Sequence, residues 1–226
     1  MIEFDNVTHY FGDRAVLTDI TCRWDQQRIA IIGANGSGKS TLARMVNGLA
    51  VPTEGRVRVD GLDPSRDGRE VRRRVSFLFS DPDAQIVMPT VGEDIAFSLR
   101  RHSLTKDERI ERTEAILHTV GLPGYAEHPA HLLSSGQKQL LALATILVTE
   151  PDILIADEPT TLLDLRHTRE IRALLATLTQ QVIVVTHDLD LIGEFDRAIV
   201  LDEGRIVADG APAECVTFYR RLMGDL

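Results

Sequence analysis

Four apolar residues running straight into a glycine-rich octet constrain this chain more than anything else in it. Ile29-Ala30-Ile31-Ile32 reads as a buried strand, and Gly33-Ala34-Asn35-Gly36-Ser37-Gly38-Lys39-Ser40 follows without a gap. A helix-compatible stretch continues from Thr41 to Asn47. Strand, G-x-x-x-x-G-K-S turn and helix in that order prescribe a phosphate-binding loop. Glycines let the backbone curl so that successive N–H groups face phosphate oxygens, and the helix N-terminus adds partial positive charge at the same place. Gly33 through Thr41 then form the nucleotide-binding set. Within it Lys39 reaches the β- and γ-phosphates, and the Ser40 hydroxyl is a ligand for Mg²⁺.

A chain of 226 residues can bury a full core without disulfides. Its formal charge of −9 argues against general nucleic-acid binding, which needs a basic face. Arg72-Arg73-Arg74 is a local exception, read as decoration ahead of the next strand. Cys22 and Cys215 stand far apart with no metal-ligand spacing, as expected in a reducing compartment. The N-terminus has no basic stretch followed by an apolar one, so no signal peptide is expected. The longest apolar run, Leu140 to Val148, is too short to span a bilayer and contains Thr145.

Alternating apolar residues predict strands over Ile2 to Thr8, Ala15 to Trp24 and Gly55 to Gly61, and Val75 to Phe79 is a further one. From Thr90 to Val120 the pattern turns helical, with Thr105 and Glu108 forming a capping box and Gly121-Leu122-Pro123-Gly124 stopping it. Gln137 to Thr149 is apolar almost all round and therefore a buried helix. Buried strands follow at Ile153 to Ala156 and Val182 to Val185, with helices at Arg166 to Leu178 and Leu189 to Phe195. Ala198 to Leu201 and Arg205 to Ala208 flank a hairpin turn. The class is α/β. Residues 1–85 and 133–226 supply a β lobe and a core of parallel strands, and about 86–132 form an inserted helical subdomain of one domain spanning 1–226.

Asp157 emerges at the carboxyl end of the Ile153 to Ala156 strand, where ligands of α/β sheets bind, and can hold Mg²⁺ through water. Glu158, one step on, is placed to orient a water against the γ-phosphate. Leu133-Ser134-Ser135-Gly136-Gln137 opens a helix and offers backbone and hydroxyl donors to an anion; an ordinary helix cap explains Ser134 or Ser135 equally well.

This peptide resembles the LSGGQ signature of ATP-binding-cassette (ABC) ATPases, and the likeness runs through the whole chain in the family's motif order. It implies a P-loop NTPase core with an antiparallel β lobe and an inserted helical subdomain. It also implies ATP hydrolysis with Mg²⁺, by two subunits that each close their signature, Leu133 to Gln137, over the other's γ-phosphate. His187 matches the family's switch histidine, which makes Glu158, His187 and Lys39 the catalytic group. Asp164, in Thr161-Leu162-Leu163-Asp164, matches the loop that crosses the dimer interface. Phe11 matches the aromatic that stacks on adenine, with Tyr10 as a substitute; Phe11 also reads as a core residue at a hairpin edge. Two departures stand out. Ser80 occupies the place of the usual Gln, leaving either water or Gln85 to fill its role, and Ser135 replaces a Gly.

Ser80-Asp81-Pro82-Asp83-Ala84-Gln85-Ile86-Val87 resembles the energy-coupling-factor (ECF) importers, and Ser-Ser-Gly-Gln-Lys-Gln with Thr-Thr-Leu-Leu-Asp-Leu looks most like their biotin-importer ATPases. A cobalt or nickel importer is the nearest rival. The resemblance implies a peripheral subunit on the cytoplasmic face of a bacterial membrane, paired with itself or a paralogue. Its partners would be an integral membrane coupling protein, seated near Gln85 to Phe97, and a substrate-binding membrane protein. A non-transport cassette protein and a P-loop kinase are the remaining alternatives. The first usually carries two cassettes or long insertions, and the second has no use for the signature or for His187.

Overall fold

The computed structural model describes residues 1–161 and 163–224; Leu162, in the segment matched to the interface loop, lies outside them. Contacts divide the chain into two units, Met1–Phe77 with Asp152–Glu158 and Thr179–Leu226, and Leu78–Pro151 with Pro159–Leu178.

The first unit is built on strands. β1 (Ile2–Phe11), β2 (Arg14–Trp24) and β4 (Glu54–Val59) make an antiparallel sheet in the order β2-β1-β4. Its buried side chains include Ile2, Phe4, Val7, Leu17, Ile20 and Trp24, and the Phe4 and Trp24 rings pack 4.6 Å apart. β3 (Arg28–Ile32), β5 (Val75–Leu78), β6 (Ile153–Asp157), β7 (Gln181–Val185), β8 (Arg197–Asp202) and β9 (Arg205–Gly210) form the second sheet, ordered β5-β6-β7-β3-β8-β9. β3 pairs in parallel with both β7 and β8, and β6 with β7. Unbroken apolar runs are what a sheet covered on both faces requires. Ile29 to Ile32, Leu154 to Ala156 and Val182 to Val185 are all fully buried. The carboxyl ends of β3, β6 and β7 thus lie along one edge of the sheet.

α1 (Lys39–Val46) leaves the octet, and α2 (Gly68–Arg74) precedes β5. The three arginines sit in the last turn of α2, where positive charge complements the helix dipole. α7 (Pro212–Leu222), absent from the sequence reading, starts on a proline, whose missing N–H has no partner to lose there. The helix expected over Leu189 to Phe195 is a series of turns instead. The Asp188 carboxylate takes the Asp190 N–H at 3.1 Å and offers the backbone a local bond that competes with helix, and Gly193 weakens what remains.

The second unit is helical. The pattern over Thr90 to Val120 resolves into α3 (Val91–Ser98) and α4 (Lys106–Thr119), separated by a short 3₁₀ turn at Leu99–Arg101. α5 (Ser135–Leu147) and α6 (Leu165–Thr177) complete it. Capping boxes start three of these helices, at Thr90 with Glu93, Thr105 with Glu108 and Ser134 with Gln137. Every residue of α5 from Gln139 to Leu147 is buried, as its all-round apolar character requires. The stretch about 86–132 lies inside this unit, which also takes in α5 and α6.

Candidate nucleotide site

The octet turns on left-handed backbone that only glycine adopts without strain. Gly36 and Gly38 have φ of 80° and 103°. Space is as restrictive as torsion: a Cβ on Gly33 would lie 2.1 Å from the Leu201 carbonyl oxygen, and one on Gly38 2.7 Å from that of Val16. Lys39 folds back over the loop, its Nζ donating to the Gly33 and Ala34 carbonyls at 2.9 Å each. The side chain is buried, and burial pushes its amine pKa down while Glu158 and Asp157 oppose that shift. The Ser37 hydroxyl oxygen is buried with no hydrogen-bond partner. Ala34, Asn35 and Thr41 complete the turn and the first helical residues.

Ser40, on the first turn of α1, donates to Asp157 Oδ1 at 2.7 Å. Arg44 reaches the other carboxylate oxygen at 3.4 Å. Sequence reading missed Arg44, although its position four residues after Ser40 puts both on one helix face. Asp157 is 2% exposed, and burial pushes its carboxyl pKa up against the pull of the Ser40 hydrogen bond and the Arg44 guanidinium. A carboxylate so desolvated has strong affinity for added positive charge.

Glu158 lies just past β6 with φ of 52°, a left-handed conformation that costs a non-glycine residue about 1–3 kcal/mol. Its N–H donates to the Val185 carbonyl at 2.8 Å, which ties the residue to the end of β7. Its Oε2 stands 2.8 Å from His187 Nδ1 and 3.4 Å from the His187 backbone nitrogen. Lys39, Ser40, Asp157, Glu158 and His187 are therefore gathered at one edge of one sheet.

Phe11 ends β1 and is 61% exposed, which removes the hairpin-core alternative. The His9 ring braces it edge-on at 4.8 Å, and Tyr10 beside it is also exposed.

Leu133 to Gln137, Asp164 and Gln85 belong to the second unit. Ser134 is the N-cap of α5, its Oγ accepting from Gln137 N at 3.3 Å while Gln137 Oε1 accepts from Ser134 N at 3.0 Å. The cap reading thus holds for Ser134, whereas Ser135 is the first helical residue and is exposed. Leu133 and Gly136 are buried. Asp164 caps α6, accepting from His167 N at 2.9 Å. Gln85 is tied at both ends: its Oε1 accepts from Phe79 N and its Nε2 donates to the Ala142 carbonyl, each at 3.4 Å. Gln139 Nε2 donates to the Phe79 carbonyl at 3.5 Å. Ser80 itself is exposed.

A phosphate loop, a carboxylate pair at a strand end and a histidine just past the neighbouring strand define a P-loop ATPase. A family model described as ABC transporter matches residues 20–161. The chain is 48% identical over 223 residues, 99% of both chains, to a putative ABC transporter ATP-binding protein of Bartonella quintana. It is 44% identical to the biotin transport ATP-binding protein BioM of Rhizobium etli, over 98% of each. To the energy-coupling factor transporter ATP-binding protein EcfA1 of Listeria monocytogenes the identity is 41%, over 82% of this chain and 68% of the relative. Among solved structures, cbiO1 of Clostridium perfringens, part of the ABC transporter complex cbiONQ, superposes with a TM-score of 0.86 at 34% identity, covering 96% of this chain and 90% of that one. The cassette MJ0796, in a dimeric post-hydrolysis state bound to ADP and Pi, gives 0.83 at 28% identity, covering 94% and 99%. The chain belongs to the ABC transporter family, as an ATP-binding ATPase subunit of the ECF type.

Proposed function

We propose that this ATPase energises an ECF-type importer of a vitamin, biotin, by closing and opening as a dimer. One observation carries the hydrolytic part: Glu158 and His187 stand 2.8 Å apart directly beyond the Asp157–Ser40 pair. In this reading the loop amides and Lys39 hold the phosphates, and Lys39 exchanges its two carbonyl partners for phosphate oxygens. The unpartnered Ser37 hydroxyl gains an acceptor on the same occasion. Ser40 and Asp157 offer oxygen donors only, and no group of three or more His, Cys, Asp or Glu side chains among the described residues could hold a metal ion. That fits Mg²⁺, which commonly takes one or two carboxylates and completes its shell with phosphate oxygens and water. When bound, the ion neutralises charge developing on the transferred phosphoryl group. Glu158 orients the attacking water while His187 steadies the γ-phosphate, and Phe11 stacks on adenine. Ser134 to Gln137 and Asp164 of the second copy, itself or a paralogue, complete the site.

Gln85, held inside its own unit, is left with a structural part in this scheme and a place on the membrane-partner surface. The exposed Val87 and Phe97 give that surface apolar anchors for helices of an integral coupling protein. No helix among the described residues is long and apolar enough to cross a membrane. A peripheral place on the cytoplasmic face therefore comes through partners, the coupling protein and a substrate-binding membrane protein. The biotin cargo is supported by the 44% identity to BioM; cobalt or nickel is the rival cargo.

The test is recovery of the full chain from detergent-solubilised membranes with its partners identified, followed by uptake assays with the assembled complex. Two integral membrane proteins and ATP-dependent biotin uptake are expected. Ribosomal or nucleic-acid partners would replace this reading by the non-transport one, and cobalt or nickel uptake would change the cargo alone. In the same assembly Glu158→Gln should keep ATP binding and slow turnover about tenfold or more. Turnover near the parent's would remove Glu158 from its role.

A further inference from the structure

The two interface motifs of the second unit meet through a residue that neither contains. Asp164 Oδ1 takes the His167 backbone N–H at 2.9 Å and also lies 2.9 Å from Nδ1 of the His167 ring. Two bonds to one carboxylate oxygen fix the imidazole relative to the start of α6. The same ring fills the space beside Gly136 at the start of α5. A Cβ added to Gly136 would stand 2.2 Å from His167 Cγ, 2.3 Å from Cδ2 and 2.6 Å from Nδ1. Gly136 is thus glycine because an imidazole occupies the place of its side chain. Its own helical backbone does not demand glycine, since its φ is not positive.

We propose that His167 is a positioning residue that sets the spacing between the Ser134–Gln137 turn and Asp164, so that both meet a second copy's nucleotide in register. The proposal rests on the dimer reading given above. Close-packed contacts transmit displacement with little give. Removing the ring takes away the contact that joins the two motifs at their helix starts, and misplacement by about an ångström is enough to cost a catalytic assembly much of its rate. The single-subunit steps, nucleotide binding at Gly33 to Ser40 among them, do not need the spacer.

The test uses the full-length chain carrying Glu158→Gln, with dimer formation in MgATP followed by sedimentation and nucleotide affinity measured below the dimerisation range. His167→Ala should weaken the dimer about tenfold and leave nucleotide affinity of the single subunit within about twofold. His167→Asn is the decisive companion. Its Cγ, Nδ2 and Oδ1 take the places of Cγ, Nδ1 and Cδ2, so it keeps the Asp164 bond and the contact with Gly136 and should restore the dimer to within about threefold. A merely structural histidine would not give that separation of dimerisation from binding, nor that rescue. An His167→Ala dimer as tight as the parent's overturns the proposal, and so does an Asn variant as weak as the Ala one. If His167→Ala does not fold, His167→Gln decides: its amide extends past Nδ1 and must weaken the dimer, so parity with the parent overturns the spacer. If the Glu158→Gln parent itself stays single with MgATP, the dimer reading falls first, and this proposal with it.

Discussion

The octet of the first unit and the Ser134–Gln137 turn of the second each lead into a helix, but they are built by opposite means. Gly33 to Ser40 is contiguous, and its shape follows from torsions and contacts of its own backbone with Val16 and Leu201. The second region is assembled from Gln85, Ser134 to Gln137, Asp164 and His167: short-range side-chain bonds close the Ser134–Gln137 and Asp164–His167 turns, and the Gln85 bond to the Ala142 carbonyl spans a long stretch of sequence. A contiguous backbone device is intolerant of added atoms. A side-chain device should lose function in graded steps.

The largest effect expected from that contrast is at Gly33. Alanine there drives a methyl into the Leu201 carbonyl, which the sheet holds and which cannot swing aside. Gly33→Ala should lower ATP affinity about 100-fold or more, roughly 2.7 kcal/mol. Gly36→Ala is the control, because nothing lies within 4 Å of its Cβ and only the torsional cost of about 1–2 kcal/mol applies. Equal losses in the two variants, by isothermal titration with ATP, would show that space plays no part.

A step down comes at Asp94 in the second unit. It is 2% exposed, accepts the Val87 and Met88 N–H groups at 2.9 Å through Oδ1, and leaves Oδ2 without a partner. Asp94→Ala orphans two amides, for a loss of about 1–3 kcal/mol in denaturant unfolding. Asp94→Asn keeps an acceptor and removes the charge. Burial raises the Asp94 carboxyl pKa, so the folded state holds that proton more firmly than the unfolded one. Stability from this group is complete below the ordinary carboxylate range and is lost as pH rises through the raised pKa. Relative to the Asn variant, the wild type should therefore gain stability as pH falls from neutral into the acid range. An unchanged difference across that range removes Asp94 as the source.

What the sequence made legible follows the same division. The strand, turn and helix around Gly33 could be read because periodicity and glycine spacing are local, and the placing of Asp157 and Glu158 at a strand end because an apolar run closed by two acids is equally local. Arg44 was within reach by helix spacing alone. His167 against Gly136 was not, since no local rule relates residues on separate helices. Leu189 to Phe195 shows the reverse error: apolar spacing suited a helix, and the Asp188 side chain with Gly193 gave the backbone a cheaper course. Phe11 needed its exposure to remove the core alternative. The partners of Gln85 needed the fold, because a glutamine among loop residues reads equally as a ligand or as a tie.

The smallest expected effect separates the two serines that open α5. Ser134 closes a reciprocal cap with Gln137, whose Nε2 also donates to the Tyr125 hydroxyl at 3.1 Å. Ser134→Ala removes one half of that box and should cost about 1 kcal/mol of stability. Ser135, one residue into the helix and exposed, caps nothing, and its replacement by alanine should change stability by less than about 0.5 kcal/mol. Turnover then carries information that stability does not. If Ser135 faces the nucleotide of a second copy, Ser135→Ala lowers ATP hydrolysis while its unfolding midpoint stays at the parent's. If both serines serve only the helix, loss of turnover tracks loss of stability and Ser134→Ala is the slower of the two. Measuring both quantities on both variants distinguishes a side chain that shapes the turn from one the turn presents.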